Sequence, residues 1–447
     1  MQVAVIGTGY VGLVSGACLA DLGHTVVCVD VDAGKIEALE RGIIPIYEPG
    51  LEELVSRNDE AGRLRFTTDL SAAVADAELV LIAVGTPARR SDGHADLTYV
   101  RSAVRAIASA VARPTIVVVK STVPVGTGDD LEQIAAAINP QAGITFVSNP
   151  EFLREGSAIK DFMFPDRIIV GVEDEAARAR MAELYAPLVS GGARIIFTSR
   201  RTAELTKYAA NAFLALKISF INEIADLCEH VGGNVKDVAH GIGLDSRIGL
   251  QFLNAGPGFG GSCFPKDIQA LVKTGHDYGS PLRLIETTIT VNEQRKRAMA
   301  RKILRACGNS VWGKRIAVLG LTFKPDTDDM REAPSITIVQ TLVDNGAVVR
   351  GYDPVGMEQA KEVLPPIEYA GDPYEAVEGA DAVVLVTEWN EFRTLDLDRI
   401  RQAMRGRAFI DLRNVFDQSV LEAAGFSYHG VGIAKRRAGP VIVEAAA

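Results

Sequence analysis

Residues 3–12 read Val-Ala-Val-Ile-Gly-Thr-Gly-Tyr-Val-Gly, a short apolar run followed by a Gly-x-Gly-x-x-Gly turn. A helical stretch over 13–22 comes next, then a second apolar run over 25–29 that ends on Asp30. This order of strand, glycine-rich turn, helix, strand and acid predicts a βαβ unit that binds a dinucleotide. The alternative is a βαβ turn that holds no nucleotide.

Each glycine of the turn has a physical role in that interpretation. Gly7 makes the tight turn, Gly9 admits the pyrophosphate, and Gly12 lets the helix pack on the strand. The helix N-terminus offers free N–H groups and partial positive charge to the phosphates. Asp30 is placed to accept the ribose hydroxyls, and its charge disfavours a 2′-phosphate. The sequence therefore predicts NAD rather than NADP as cofactor.

Composition excludes several classes of partner. The chain has 447 residues, enough for two or three domains, and its 57 acidic against 47 basic residues give a net charge of −10. That balance argues against nucleic acid or an anionic membrane as the main partner. Five scattered cysteines without a Cys-x-x-Cys pair, and no visible signal peptide, predict a cytoplasmic protein with reduced thiols. No apolar run reaches the ~18 residues of a membrane span, and the dispersed histidines predict no metal site.

Further strands are predicted after the first βαβ unit, and each ends in polar or turn residues. Ligands collect at the carboxyl ends of parallel strands, so the loops that follow are expected to form one site. The strands are predicted at 79–84, 115–120, 144–148 and 167–170, and the loops at 85–87, 121–124 and 149–151.

A second strand–helix–strand pattern begins at Arg315, with strands predicted at 316–319 and 348–352 and a helix at 334–345 between them. Strands at 382–386 and 408–410 continue it, but the glycine fingerprint is replaced by a run that presents Lys324. A lysine there suits a phosphate as a point charge. We therefore predict an α/β fold with two Rossmann-like doubly wound domains joined by a long central helix region. The predicted domains are an NAD-binding domain (1–200), a helical dimerisation and substrate domain (201–310), a second Rossmann-like domain with a phosphate-binding lysine (311–433) and a tail (434–447).

Two long helical stretches, 201–236 and 281–306, separate the two halves. The first carries an apolar stripe typical of a contact face, which consists of Thr202, Leu205, Tyr208, Ala209, Phe213 and Leu216. Such a helix often carries subunit contacts, so we expect a homodimer. The alternative is an intramolecular spacer.

Residues 258–267, Gly-Phe-Gly-Gly-Ser-Cys-Phe-Pro-Lys-Asp, place a thiol between flexible backbone and an apolar-periodic helix. Pro265 suits the first turn of that helix. Cys263 would lie at its N-terminus with Lys266 close by, a setting that favours the nucleophilic thiolate. The alternative is a buried structural cysteine.

An NAD domain implies hydride transfer, and a nucleophilic cysteine narrows the reaction to oxidation of an aldehyde to an acid. The thiolate adds to the carbonyl, the hemithioacetal loses hydride, and water hydrolyses the thioester. Glu151 and Glu155 are four residues apart, so a helical turn would place both on one face to orient or deprotonate that water. Lys207 and Asn211 share the same spacing: Lys207 could stabilise an oxyanion, and Asn211 could hold its position or contact the substrate. The alternatives are a solvated helix start for the two acids and a surface position for the Lys-Asn pair.

Several longer motifs, in order, are similar to one family. The chain resembles the UDP-glucose/GDP-mannose dehydrogenase family over about residues 1–433, and the runs at 162–167 and 262–267 look like its UDP-glucose branch. The matching motifs are Gly-Thr-Gly-Tyr-Val-Gly (7–12), Val-Gly-Thr-Pro (84–87), Lys-Ser-Thr-Val-Pro-Val-Gly-Thr (120–127), Asn-Pro-Glu-Phe-Leu-Arg-Glu-Gly (149–156), Pro-Asp-Arg-Ile-Ile-Val-Gly (165–171), Lys-Tyr-Ala-Ala-Asn (207–211) and the Cys263 run.

The resemblance implies oxidation of UDP-glucose to UDP-glucuronate with reduction of two NAD+, with Cys263 as nucleophile of the second oxidation. It implies Lys207 and Asp267 as the pair that handles protons and oxyanion charge at the sugar C6. Thr122, Glu151 and Glu155 are implied as groups that position water.

The resemblance also implies that the domain over 311–433 binds UDP, and it assigns contacts with the two ligands. Cofactor contacts are implied for Gly7, Gly9, Tyr10, Val11, Gly12, Asp30, Lys35, Thr86, Thr122, Glu155, Lys266 and Arg331. Sugar-nucleotide contacts are implied for Glu151, Phe152, Leu153, Arg154, Glu155, Lys207, Asn211, Phe252, Leu253, Asn254, Ala255, Gly256, Gly260 and Lys324. Arg247 resembles an arginine that reaches the substrate across a dimer interface. The nearest alternatives are a dehydrogenase of GDP-mannose or of a UDP-N-acetylhexosamine, and a non-catalytic nucleotide-binding protein of the same fold.

Overall fold

The structure, a computed structural model, describes residues 1–89 and 92–434. The chain forms two compact units. The first consists of Met1–Ala212 and Lys266–Arg283, and the second of Phe213–Pro265 and Leu284–Ala447, of which residues up to 434 are described. The predicted division at 200 and 310 stays a prediction, and the predicted tail lies outside the described residues apart from Ala434.

The first unit contains an eight-stranded sheet with the order β3-β2-β1-β4-β5-β6-β7-β8. All neighbouring strands are parallel except β6 and β7. The strands are β1 (Gln2–Ile6), β2 (Thr25–Val29), β3 (Leu64–Thr67), β4 (Leu79–Ile82), β5 (Thr115–Val119), β6 (Ile144–Ser148), β7 (Ile168–Gly171) and β8 (Ile195–Thr198).

The central strands are continuous apolar runs because helices cover both faces of the sheet. Every residue of β4 is buried, as are four of the five residues of β1. The helices of this unit are α1 (Tyr10–Asp21), α2 (Ala33–Glu40), α3 (Leu51–Glu60), α4 (Leu70–Ala75), α5 (Thr98–Ala110), α6 (Thr127–Ile138), α7 (Ala158–Met163), α8 (Glu175–Leu184) and α9 (Ala186–Ser190).

The strand order reverses beside β1, whose partners on its two sides are β2 and β4. Ligands bind in the crevice at such a switch point, outside the carboxyl ends of the strands. The turn after β1 and the loops after β4, β5 and β6 all lie at this edge, which places the predicted site there.

Three helices contain residues of both units. They are α10 (Arg200–Val231), α12 (Phe264–Asp277) and, by its first residue only, α13 (Arg283–Ala306). The predicted helix over 201–236 is wrong in one detail, because α10 ends at Val231. Gly232 takes a left-handed φ of +85°, and Asn234 then caps a new helix through the N–H of Lys236.

The second unit contains a parallel six-stranded sheet with the order β11-β10-β9-β12-β13-β14. Its strands are β9 (Arg315–Leu319), β10 (Val348–Tyr352), β11 (Glu368–Tyr369), β12 (Ala382–Leu385), β13 (Ala408–Asp411) and β14 (Ser427–Gly430). Its helices are α11 (Val235–Gly243), α13 (Arg283–Ala306), α14 (Pro334–Asp344), α15 (Met357–Val363), α16 (Pro373–Val377), α17 (Asn390–Arg393), α18 (Leu397–Ala403) and α19 (Gln418–Ala423).

The fold prediction is confirmed: the chain is α/β with two doubly wound, Rossmann-like sheets and a long helix between them along the sequence. The sequence pattern missed four strands, β3, β8, β11 and β14. These are the edge strands of the two sheets, and each pairs with one neighbouring strand. Within the described residues, no helix combines the length and the apolar character that crossing a bilayer requires.

Candidate active site

The glycine-rich turn after β1 has the geometry of a phosphate cradle. Gly7 has a φ of +101°, and a Cβ there would lie 2.8 Å from the carbonyl oxygen of Ala83. A Cβ on Gly12 would lie 1.9 Å from the carbonyl oxygen of Gly7, so Gly12 is needed for close packing against the turn itself. A Cβ on Gly9 would meet nothing within 4 Å. Open space at Gly9, beside the start of α1, fits a bound pyrophosphate.

Asp30 follows β2 and is tied to that turn. One carboxylate oxygen accepts the backbone N–H and the hydroxyl of Thr8, both at 2.8 Å, and the other accepts the N–H of Asp32 at 3.1 Å. The Nζ atom of Lys35 lies 3.6 Å from Asp30 Oδ2. Burial alone would raise the pKa of Asp30, but these hydrogen bonds and the lysine outweigh it and hold the pKa below its usual value. The carboxylate is therefore ionised, as recognition of ribose hydroxyls requires.

The loops after β4 and β5 are joined by hydroxyl groups. Thr86 donates its hydroxyl to the carbonyl oxygen of Thr122 at 2.9 Å, and Ser121 donates to that of Val84 at 2.7 Å. Lys120, directly after β5, donates at 3.2 Å to the side chain of Asn149, which follows β6. The structure therefore brings together the three loops that the sequence predicts at one edge of the sheet.

Glu204 of α10 fixes the loop that carries Thr122. Its carboxylate accepts the N–H groups of Gly126 and Gly128, at 2.7 and 2.9 Å, and the hydroxyl of Ser148 at 3.0 Å. These N–H groups belong to the N-terminus of α6, where they lack helical partners. Burial is the main influence on Glu204 and raises its pKa despite the three donors.

Glu151 and Lys207 form a buried ion pair. The carboxylate oxygen and Nζ are 3.2 Å apart, and the side chains are 5% and 3% exposed. Phe152 lies beside the pair: Lys207 Nζ is 5.3 Å from its ring centre, and the guanidinium of Arg167 is 3.7 Å from it. A lysine held this way, with a carboxylate to exchange a proton, can stabilise a developing oxyanion.

The predicted helical turn over 151–155 is wrong. Residues 151–154 have no regular structure, and the next helix, α7, begins at Ala158. Side-chain carboxylates capture the backbone instead: Glu151 accepts the N–H of Leu153 at 2.5 Å, and Asp161 accepts that of Arg154 at 2.9 Å. Asp161 also pairs with the Arg154 guanidinium at 2.6 Å, so this arginine is held in place at the surface.

A second polar pair lies on α10 and α12. Asn211 donates to Asp267 Oδ2 at 2.7 Å, and Lys266 Nζ is 2.5 Å from Asp267 Oδ1. Asp267 is 1% exposed and Asn211 is buried beside it. The spacing that places Lys207 and Asn211 one turn apart therefore marks a buried polar face, not a surface. The arrangement gives a buried carboxylate that can hold or accept a proton.

Cys263 belongs to the second unit and lies immediately before α12, with Pro265 in the first turn as predicted. It is half-buried, whereas Cys18, Cys28, Cys228 and Cys307 are buried. The preceding glycines pack tightly: a Cβ on Gly260 would lie 2.2 Å from the carbonyl oxygen of Glu332. Gly260 is thus required by the fold of this segment, whatever it binds.

The segment at 252–256 is held by buried side chains of two helices. Asn222 of α10 accepts the N–H of Gly256 at 2.8 Å, and Arg295 of α13 donates to its carbonyl oxygen at 2.9 Å. Phe252 has a left-handed φ of +64°, which is unusual for a bulky residue and marks a strained position. Leu253 and Ala255 are buried and Asn254 is exposed.

The basic residues of the second unit that are predicted to contact ligands each interact with a residue nearby in the sequence. Lys324 lies over the ring of Phe323, with Nζ 5.4 Å from its centre. Arg331 pairs with Asp329 at 2.8 Å, and Arg247, whose side chain is 87% exposed, pairs with Asp245 at 2.6 Å. The hydrogen bond with Asp245 raises the pKa of Arg247. Val11, in the first unit, is half-buried at the start of α1.

Sequence reasoning missed two residues that hold the loops of the first unit, Lys120 and Glu204. Lys120 had a usable signal, because a charged residue directly after a buried strand marks the ligand edge of a parallel sheet. Within residues 1–89 and 92–434, no cluster of His, Cys, Asp and Glu is arranged to hold a metal ion.

Three domain models of one family match most of the chain. They are described as the NAD binding domain (residues 1–189), the central domain (201–294) and the UDP binding domain (317–418) of the UDP-glucose/GDP-mannose dehydrogenase family.

Individual relatives match over nearly the whole chain. A UDP-glucose 6-dehydrogenase of Rhizobium meliloti is 59% identical over 97% of this chain and 99% of its own length. Among solved structures, a UDP-glucose dehydrogenase from Pyrobaculum islandicum has a TM-score of 0.89 at 40% identity, covering 97% of this chain and 98% of its own. A UDP-D-ManNAc dehydrogenase from Pyrococcus horikoshii has a TM-score of 0.85 at 28% identity, covering 97% and 99%.

Proposed function

Because the chain belongs to the UDP-glucose/GDP-mannose dehydrogenase family, we propose that it oxidises UDP-glucose to UDP-glucuronate with two molecules of NAD+. The observation that carries this proposal is the 59% identity to a UDP-glucose 6-dehydrogenase over nearly the full length of both chains. The match to the NAD binding domain of the family confirms the cofactor predicted from the glycine turn and Asp30. The UDP binding domain matches the half of the chain in which the sequence predicts a phosphate-binding lysine.

The residues around the glycine turn would hold the cofactor. The space at Gly9, the N-terminus of α1 and the ionised Asp30 fit a pyrophosphate and an unphosphorylated ribose. Bound NAD+ supplies a hydride acceptor, which is needed twice in each turnover. Further contacts with the cofactor are proposed for Thr86, Thr122, Glu155, Lys35, Lys266 and Arg331.

Lys207, Asn211 and Asp267 are proposed to act in the first oxidation, which removes a hydride from C6 and a proton from its hydroxyl. Two contacts support this role. The ion pair of Lys207 with Glu151 places a buried cation beside a carboxylate, and the hydrogen bond from Asn211 holds the buried Asp267 carboxylate, which can accept a proton. A lysine held at 3% exposure stabilises alkoxide charge more strongly than one in water.

Cys263 is proposed as the nucleophile of the second oxidation. Its thiolate adds to the C6 aldehyde, the hemithioacetal loses the second hydride, and a thioester remains on the sulfur. Water then breaks the carbon–sulfur bond, which releases the carboxylic acid and returns the thiol. The position directly before α12 supports this role, since a helix N-terminus favours thiolate.

Thr122, Glu151 and Glu155 are proposed to position that water. Glu204 and Thr86 fix the loop of Thr122, and Glu151 is anchored by Lys207. The sugar nucleotide is proposed to contact the residues that the family resemblance assigns to it. These are Glu151 to Glu155, Lys207, Asn211, Phe252 to Gly256, Gly260, Lys324 and, from a second copy, Arg247.

A homodimer through α10 is part of the proposal. Phe213, Phe220 and Leu227 recur at seven-residue intervals on this helix and are 61%, 47% and 55% exposed in the single chain. Large apolar side chains aligned on one helix face are typical of a subunit contact. We also propose a cytoplasmic location, on the basis of the dispersed cysteines, none of which is in a disulfide.

The proposed substrate is tested by NADH formation with UDP-glucose, GDP-mannose and UDP-N-acetylmannosamine. We expect two NADH per UDP-glucose and little turnover of the others. Turnover of another sugar nucleotide in place of UDP-glucose would overturn the assignment. Cys263→Ser is expected to abolish overall turnover while NAD binding survives, and an unchanged NADH yield would remove Cys263 from the mechanism.

A further inference from the structure

Glu48 is a buried carboxylate in the loop between α2 and α3, and it lies outside every motif that points to the reaction. It is 7% exposed. One of its oxygens accepts the hydroxyl of Tyr10 and, at 2.6 Å, the N–H of Gly156, while the other accepts the N–H of Ala158 at 2.7 Å. Three donors from two distant segments thus converge on one side chain.

We propose that Glu48, together with Tyr10, is a positioning residue that fixes Glu155 relative to the glycine-rich cofactor turn. The inference rests on the proposed function, in which Glu155 helps to position the hydrolytic water and contacts the cofactor. Glu48 itself touches neither ligand in this assignment and acts through the backbone that it holds.

The covalent geometry makes the link to Glu155 direct. The N–H of Gly156 belongs to the planar peptide unit that also contains the Cα and carbonyl of Glu155. A hydrogen bond to that N–H therefore fixes the plane from which the Glu155 side chain projects. Gly156 itself has a φ of +76°, a left-handed corner that suits glycine and turns the chain toward α7.

Tyr10 supplies the connection to the cofactor turn, because it is the first residue of α1 and lies between Gly9 and Gly12. Its hydroxyl donates to Glu48 and accepts the N–H of Gly156 at 2.9 Å, so the three groups form a closed set. Burial, followed by the hydrogen bond to Glu48, raises the pKa of Tyr10 well above its usual value. Glu155, the residue before Gly156, adds a smaller electrostatic contribution in the same direction.

A carboxylate is the side chain that this set requires. All three groups that face Glu48 are donors, and an ionised carboxylate offers acceptors only. A glutamine would turn an NH2 group toward one of these donors. The contact with Ala158 caps α7 and is structural, whereas the contacts with Gly156 and Tyr10 are the ones that bear on Glu155.

The test compares Glu48→Gln and Tyr10→Phe with Glu52→Gln, an exposed glutamate on α3 that serves as the matched control. Each is mixed rapidly with UDP-glucose and NAD+, and NADH is followed through the first turnover and into steady state. For Glu48→Gln we expect a burst of about two NADH per site and then turnover slowed about 10²-fold, the order expected for a small misplacement of a reacting group. Acid-quenched protein should carry a substrate adduct on Cys263.

Tyr10→Phe should show the same behaviour with a smaller loss, because Gly156 keeps its bond to Glu48. Tyr10→Phe decides the question with the same readouts if Glu48→Gln does not fold. Turnover like that of the control, or slow turnover without a burst and adduct, would overturn the inference. Failure of the unaltered protein to form NADH from UDP-glucose would instead overturn the proposed function.

Discussion

The side-chain amide of Asn292 holds the backbone of Phe259 at both of its polar groups. Oδ1 accepts the N–H at 2.9 Å, and Nδ2 donates to the carbonyl oxygen at 3.0 Å. Gly258, the preceding residue, has a φ of +112°, and a Cβ there would lie 2.8 Å from Asn292 Oδ1. The glycine-rich run that leads to Cys263 is therefore shaped by a helix residue more than 30 positions away.

Asn292→Ala should destabilise this segment and weaken substrate binding. It leaves the buried N–H and carbonyl of Phe259 unpaired, at a cost of about 1–3 kcal/mol for each group. We expect a lower free energy of unfolding in urea and a raised KM for UDP-glucose. The matched control is Gln294→Ala, an exposed position on the same helix. Equal stability and KM in the two variants would contradict the assigned role.

Lys207→Met should reduce turnover strongly. The substitution removes the cation proposed to stabilise oxyanion charge, for which a loss of about 10²–10³ in kcat is expected. It also leaves Glu151 as an uncompensated buried charge, at a cost of about 3–5 kcal/mol. Adding Glu151→Gln should restore much of the stability but not the activity. Lys160→Met, an exposed lysine of α7, is the control, and kcat measured beside urea unfolding separates the two effects.

Recovery of activity together with stability in the double variant would show that Lys207 is structural. Loss of activity in Lys160→Met would show that general charge, rather than the buried pair, matters.

The sequence predicts the parts of the site that are local in the chain. The turn at Gly7 to Gly12, Asp30 and the thiol before α12 are each defined by neighbours within a few residues, so propensity and spacing suffice to find them. Even there, the predicted helical turn at Glu151 failed, because the backbone N–H groups of Leu153 and Arg154 bond to the side-chain carboxylates of Glu151 and Asp161 in a non-helical loop.

The supporting residues could not be found in the same way. Glu48 and Gly156 are 108 positions apart in the sequence, and Glu204 and Gly126, which are also joined by a hydrogen bond, are 78 positions apart. Nothing in the local pattern of Ile46-Tyr47-Glu48-Pro49 distinguishes a buried acceptor from an exposed loop acid. Only the tertiary fold brings such partners together, so these supporting residues can be identified from the structure but not from the sequence.

Cys263 should be the first of the five thiols to react with iodoacetamide. Cys18 and Cys28 are fully buried, and burial raises the pKa of each to about 12. At pH 8 only about 10⁻⁴ of such a thiol is thiolate, which is the reactive form. Burial also raises the pKa of Cys228 and Cys307.

Peptide mapping after brief alkylation checks this order, and loss of NADH formation should follow the labelling of Cys263. The variant Cys263→Ser should lack the fast phase. Rapid labelling of Cys18 or Cys28 would contradict the burial seen here.

Asp411 should make the stability of the second unit depend on pH. The residue ends β13, is fully buried and accepts the N–H groups of Arg413 and Phe416 at 3.1 and 2.9 Å. Burial raises its pKa from 3.8 to about 6, against the effect of these hydrogen bonds. The folded protein thus binds the proton more tightly than the unfolded chain. The stability contribution is complete below pH ~4 and is lost as the pH rises through about 6.

The shift corresponds to about 3 kcal/mol at most. The measurement is the free energy of unfolding in urea between pH 4.5 and 7.5 for the protein and for Asp411→Ala, with the difference plotted against pH. The variant loses the two hydrogen bonds at every pH, so the slope of that difference reports the titration alone. We expect the advantage of the unaltered protein to shrink as the pH rises to 7. A constant difference, or one that grows with pH, would show that Asp411 is ionised throughout and that the backbone donors outweigh its burial.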